Sequence, residues 1–552
     1  MTSMASGRIP SSCSMRAAPT ALQSPANPPP KTRMRFMCLR LVRSGPLSDC
    51  RERRDKTATV NNLVHCHAVN ARRQPMSGFA GFPGSDVRAK LDHPVIDADA
   101  HVVECDFAHL DFVRQLGGEK MVDKVSKTIA AAGATVRGFW WGIPSGPNTG
   151  DRAMAQLPRY MRSRMDELGI DFGHCYTTRG LSHLYITDEE TRRTSCRALN
   201  MLYSEMYAGV GDRLRPVAVI PTYTPQEAIE ELEFAVLKLG HKAIHIGTEL
   251  RGPARPATGK DPFLQPTQST RSIVMDSPYD FDPFWQRCID LKATPVCHTS
   301  SRGIGYRASP SNYVFNHLGD FANGAEFFCR SLFFSGVTRR FPQLSFAFLE
   351  GGVAWAVNLL NDIVEHWEKR NVDALAKNLD PALLDVDLLE RLFREFGSPR
   401  LTPERIRANP HCQLMIQRPD PFDEFAACAM TEIGVLRKLF VDPFYFGCEA
   451  DDRMISVGFN RRLNPLGRVL KPVFGSDIGH WDVLDATSVL TEAFNLVNAK
   501  LLTPENFRDL TFVNPAMMHL SMNPDYFEGT VVADAARKLL ATHSSKQGAS
   551  SE

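Results

Sequence analysis

The chain has 552 residues, 43% of them hydrophobic and 23% charged, with a formal net charge of +2. That is enough for one large domain with insertions or two to three ordinary ones, and no apolar run approaches the roughly 20 residues that span a bilayer. The charge is unevenly placed: residues 1–75 hold 13 Lys/Arg against 3 Asp/Glu, leaving 51 basic and 59 acidic residues beyond them, so the body of the chain has no general affinity for nucleic acid.

Residues 1–75 are rich in Ser, Pro and Arg, poor in acid, and show no helical or strand period, which predicts a disordered basic leader. An over-early start ahead of Met76, a mitochondrial-type targeting segment and a nucleic-acid-binding arm all remain open readings. Four of the 13 cysteines lie here; the other nine are scattered without CxxC pairs. Free thiols in a reducing compartment are expected, hence a cytoplasmic protein, or a mitochondrial one if the leader is a targeting segment.

From residue 90 the rhythm is strand, loop, helix. Strands are predicted at 95–102, 171–177, 214–220, 243–247, 294–298, 345–349, 444–449 and 472–476. Thr187–Asp188–Glu189–Glu190 reads as a capping box before a helix reaching about Tyr207. Thr224–Pro225 starts another helix that Gly240 stops, and Asp282–Pro283 and Thr503–Pro504 start two more. Eight strands alternating with helices predict an α/β fold, a (β/α)8 TIM barrel over residues 90–530. Residues 248–282 suggest a lid-like loop, 371–440 an inserted helical cap, and 531–552 a flexible tail.

Three stretches carry the chemistry: 95-VIDADAHVVE-104, 294-TPVCHTS-300 and 473-VFGSDIGHWD-482. In the first, Asp97, Asp99 and His101 alternate with apolar residues, which predicts one polar strand face. Carboxylates and imidazoles facing inward are costly to bury without a compensating cation. Adding His298 and Asp477 at two other strand ends gives a mixed nitrogen–oxygen shell. It suits zinc, with manganese or iron as alternatives, and such an ion yields hydroxide from water near neutral pH. Taken singly, each residue has a plainer reading as a turn, a cap or a core histidine. Arg302 and Arg307 are candidates to clamp a substrate carboxylate, His245 to line the pocket, and His480 to contact substrate or support a ligand. Trp140 and Trp141 are candidate walls of an aromatic site, and Glu449 and Asp451 candidate orienting groups.

IDADAHVVE (96–104), CHTS (297–300), RRFPQLSFAFLEGGVAW (339–355), FGCEADD (446–452), FGSDIGHWD (474–482) and LTPENFRDLTFVNPA (502–516) together resemble the amidohydrolase-related family, in the branch of the amidohydrolase superfamily containing aminocarboxymuconate-semialdehyde decarboxylase. The resemblance implies a barrel with one divalent metal, usually zinc, held by Asp99, His101, His298 and Asp477. The chain departs from that pattern in having Asp99-x-His101 where His-x-His is usual, and Glu350 where a histidine base precedes Gly-Gly. Glu350 then takes the place of that base, or is a structural residue at the Gly351–Gly352 turn. The implied activity is that of a metal-dependent hydrolase or non-oxidative decarboxylase acting on a small organic acid, ester or amide, with Asp477, Glu350 and His298 as catalytic groups and a homodimer as the expected assembly. The competing reading is a non-catalytic barrel in which the metal is a structural staple.

Overall fold

The computed structural model describes residues 83–135, 142–252, 269–299, 309, 311–408 and 423–549. The expectations for residues 1–75, Trp140, Trp141, Arg302 and Arg307 lie outside the described residues.

Eight strands are parallel neighbours in chain order: β1 Ile96–Val102, β2 Phe172–Thr177, β3 Leu214–Ile220, β4 Ala243–Ile246, β5 Pro295–Cys297, β6 Phe346–Phe348, β7 Phe444–Glu449 and β8 Pro472–Gly475. Helices separate them, and the fold is a (β/α)8 barrel. Ile96, Phe172, Val217, Ala243, Val296, Ala347, Tyr445 and Val473, one from each strand, form a single buried apolar cluster with Phe512, Met518 and Tyr526. The strands fill the barrel interior, and the 512–526 segment plugs it at their amino ends. The Asn514 amide donates to the Pro472 carbonyl, and the Thr294 hydroxyl to the Met518 carbonyl.

The seam between β8 and β1 lies just past the last residues of β8. Asp477 N–H donates to the Asp99 carbonyl at 2.8 Å, and His101 N–H to the Ile478 carbonyl at 3.0 Å. Next to that seam β1 carries a bulge: Asp97 pairs with Gly173 but Ala100 with Cys175, so three steps on β1 match two on β2. An extra residue inverts the side-chain alternation. Ile96 and Ala98 join the interior cluster, whereas Ala100 and Val102 join the outer one under the helices. The expected single face of Asp97, Asp99 and His101 is therefore broken.

The helix starts are mostly as expected. Thr224 accepts from Glu227 N–H and Thr503 forms a full capping box with Asn506. Two differ by one residue: Asp188, not Thr187, caps helix Glu189–Met206, because its carboxylate accepts from Thr191 N–H, and helix Asp282–Asp290 begins after Phe281. Within 248–282, Glu249–Gly252 and Ser269–Ser272 pair as an antiparallel ribbon rather than an open loop. The insertion contains helices Val372–Asn378, Val386–Phe396 and Pro403–Ala408. Where a flexible tail was expected from residue 531, Ala533–Ala549 is a helix, anchored by buried Ala536 on the interior cluster. Among the described residues no helix is long and apolar enough to cross a membrane.

Candidate metal centre

The bulge separates Asp97 from the other two polar residues of β1. Asp97 Oδ1 accepts from Asp99 N–H at 3.1 Å and Ser476 N–H at 3.0 Å, so this carboxyl ties the seam, and burial pushes it up to about 6. Asp99 and His101 instead point to the carboxyl ends of the strands. They meet His298 one residue past β5, Glu350 two past β6 and Asp477 two past β8.

The distances are short. His101 Nε2 lies 3.1 Å from Asp477 Oδ1 and 3.5 Å from Asp99 Oδ1. His298 Nε2 lies 3.3 Å from His101 Nε2, 3.6 Å from Asp99 Oδ1 and 3.1 Å from Glu350 Oε2. Donors held at about 2.1 Å from one ion at tetrahedral or right angles sit roughly 3.0–3.4 Å apart. All these side chains are at most 4% exposed.

The protonation pattern asks for a cation. His298 Nδ1 is 2.7 Å from the Thr299 carbonyl, a pure acceptor, so Nδ1 carries the proton and Nε2 a lone pair. Burial pushes this imidazole down to about 3 and holds His101 well below its ordinary value, so both are neutral. The His298 lone pair thus faces Glu350 Oε2 and Asp99 Oδ1, and both oxygens are buried without a hydrogen-bond partner. Burial, and then the neighbouring carboxylates, hold Asp99 and Glu350 well above the usual carboxylate range and push Asp477 up to about 8. Lone pairs converging on one point, dry and unpaired, fit a divalent cation.

The backbone is strained to deliver them. Glu350 (φ 58°) and Asp477 (φ 51°) are left-handed non-glycine residues, each costing roughly 1–3 kcal/mol. Gly475 has no side chain for a direct reason: a Cβ there would sit 2.9 Å from the Asp99 Cβ.

Two further histidines support the cluster. His480 Nδ1 lies 2.7 Å from Asp477 Oδ1, and its Nε2 shares a hydrogen bond with the Thr178 hydroxyl at 3.1 Å. His245, fully buried on β4, donates from Nε2 to the His298 carbonyl at 2.9 Å. His245 therefore fixes the backbone carrying His298. Glu449 closes β7, and Asp451 beyond it is exposed.

The geometry adds two residues that sequence reasoning missed. His317, in helix Tyr313–His317, and Asp482, past β8, group with Glu350. Asp482 lies in the FGSDIGHWD motif, where its spacing from His480 was the available signal; His317 lies well past the end of β5 and offered none.

The amidohydrolase family model matches residues 96–402, from β1 into the insertion. No curated protein sequence matches the chain. Among solved structures, similarity extends to a dihydroxybenzoic acid decarboxylase from Polaromonas sp. with bound manganese and 2-nitroresorcinol (14% identity, 77% of this chain and 97% of that one, TM-score 0.43). An amidohydrolase from Mycobacterium avium subsp. paratuberculosis has 16% identity over 78% and 100% of the two chains, TM-score 0.44. For 5-carboxyvanillate decarboxylase from Sphingomonas paucimobilis the values are 14%, 77%, 98% and 0.40. With more than half its length matched by the family model and the eight-stranded barrel around these donors, the chain is an enzyme of the amidohydrolase family.

Proposed function

We propose that the protein is a divalent-metal-dependent hydrolase or non-oxidative decarboxylase acting on a small organic acid, ester or amide. The observation that carries this reading is the convergence of the His101 and His298 nitrogens with the Asp99, Asp477 and Glu350 oxygens at the carboxyl ends of four strands, the end at which barrels of this kind place their chemistry.

Asp99, His101, His298 and Asp477 are the ligands in this reading, with zinc as the first assignment and manganese and iron suited to the same donors. When bound, the cation supplies Lewis acidity that polarises a carbonyl and acidifies water. Glu350 is the proton acceptor, its Oε2 aimed into the cluster, and Asp477 is the shuttle, oriented by His480. His298 is kept in one tautomer by the Thr299 carbonyl. Arg302 and Arg307, four and nine residues beyond His298 in the chain, are assigned to a substrate carboxylate by the fit of guanidinium to that group.

The test is metal content of the full chain by plasma mass spectrometry after purification without a metal-binding tag. At least one tightly held equivalent is expected, lost in Asp99→Asn and in His101→Asn. Screening carboxylic acids for carbon dioxide release and esters and amides for hydrolysis then separates the two reactions. A folded chain that stays empty when metal is supplied overturns the reading.

A further inference from the structure

A second group of donors stands beside the first at the barrel mouth. His317, Glu350 and Asp482 each present a ligand atom within 4.8 Å of the other two. They come from three separate segments, beyond β5, β6 and β8. Glu350 joins this group to the inner set. Its Oε2 is 3.1 Å from His298 Nε2, while its Oε1 is 3.9 Å from His317 Nε2, so one carboxylate spans both groups.

The outer donors are placed rather than loose. His317 is flanked by the rings of Phe321 at 5.1 Å and Trp481 at 5.3 Å, both steeply inclined to it. The Glu350 side chain is only 2% exposed, and Asp482 Oδ1 is buried without a hydrogen-bond partner.

Charge points the same way. Asp99, Glu350, Glu449, Asp477 and Asp482 lie within electrostatic reach of one another. Among the described residues, no ion pair joins a lysine or arginine to any of the five. One divalent cation offsets at most two carboxylate charges, and five such groups converge here.

We propose that His317, Glu350 and Asp482 form a second divalent-cation site, joined to the inner one through the Glu350 carboxylate. This rests on the inner cluster being a metal centre. One nitrogen and two carboxylates leave coordination positions open toward the mouth, where the oxygen atoms of an anionic substrate arrive, so an organic acid is the substrate class the pair of sites would favour.

The experiment strips the full chain with chelator, equilibrates it with excess manganese(II) by dialysis, and counts bound metal. Two equivalents are expected for the parent chain and one for each of His317→Gln and Asp482→Asn. The electron paramagnetic resonance spectrum of the parent should show two spin-coupled manganese ions, and that of each variant an isolated ion. One equivalent at saturation in the parent, or two in both variants, overturns the second site and leaves the inner one standing. No metal in the folded parent overturns both.

Discussion

The Nε2 atoms of His101 and His298 face each other across 3.3 Å, and that of His298 carries a bare lone pair. Such a contact is repulsive unless a cation or proton lies between the rings. We expect chelation to lower the thermal midpoint and re-added metal to restore it. With metal at about 100 times its Kd, linkage makes the difference about 2.7 kcal/mol. Calorimetry with and without chelator measures it, and an unchanged midpoint in both directions would contradict the assignment.

His480 acts through Asp477. Replacing it by Phe removes the imidazole nitrogen 2.7 Å from Asp477 Oδ1 and leaves that carboxylate free to turn. Losses of such supporting contacts usually weaken metal affinity about 10–100-fold. Competition with a chromogenic chelator should show this for His480→Phe, and a smaller loss for Thr178→Val.

Glu350 separates stability from chemistry. In the metal-free protein it combines a left-handed backbone with a buried, unpartnered carboxyl. Glu350→Gly should therefore raise metal-free stability by about 1 kcal/mol or more, read by denaturant titration. Glu350→Gln should keep the inner metal yet lower kcat by roughly 10²–10⁴, the usual worth of a positioned base.

Metal-free stability should fall as pH rises above neutrality. Burial pushes Asp477, Asp482 and Glu449 up to about 8, against about 4 in an unfolded chain. The folded state therefore holds protons that the unfolded state releases, and the stability this contributes is full below about pH 4 and lost as pH climbs through 8. The buried histidines work in the other direction but only below about pH 6.5, where their unfolded forms gain a proton. Between about pH 6.5 and 8 the three carboxyls outweigh Lys471, which burial pushes down to about 7 and which works in the opposite direction. Thermal midpoints recorded across that window should decline without metal and hold nearly level with it.

The barrel was legible because each strand is a short apolar run set off by capped helices, as at Thr224–Pro225 and Thr503–Pro504. The ligand candidates were legible because His298 and Asp477 fall just past strand ends and the Asp99-x-His101 pair lies on the first strand. Asp97 was misplaced, since a bulge leaves no mark in a simple alternation of polar and apolar residues. His317 was invisible for another reason: its position depends on where a short helix packs against Phe321 and Trp481, a tertiary matter with no local period. The role of Asp482 could be seen only once Glu350 was found beside it.

The seam that joins β8 to β1 has a consequence for biosynthesis. Asp99 and Asp477 are 378 residues apart in the chain, yet the Asp477 amide bonds the Asp99 carbonyl. At a translation rate of about 5–20 residues per second, Asp477 emerges roughly 20–75 s after Asp99. Through that interval the nascent protein lacks its closing strand. Any premature stop before residue 477 therefore forfeits the seam that closes the barrel.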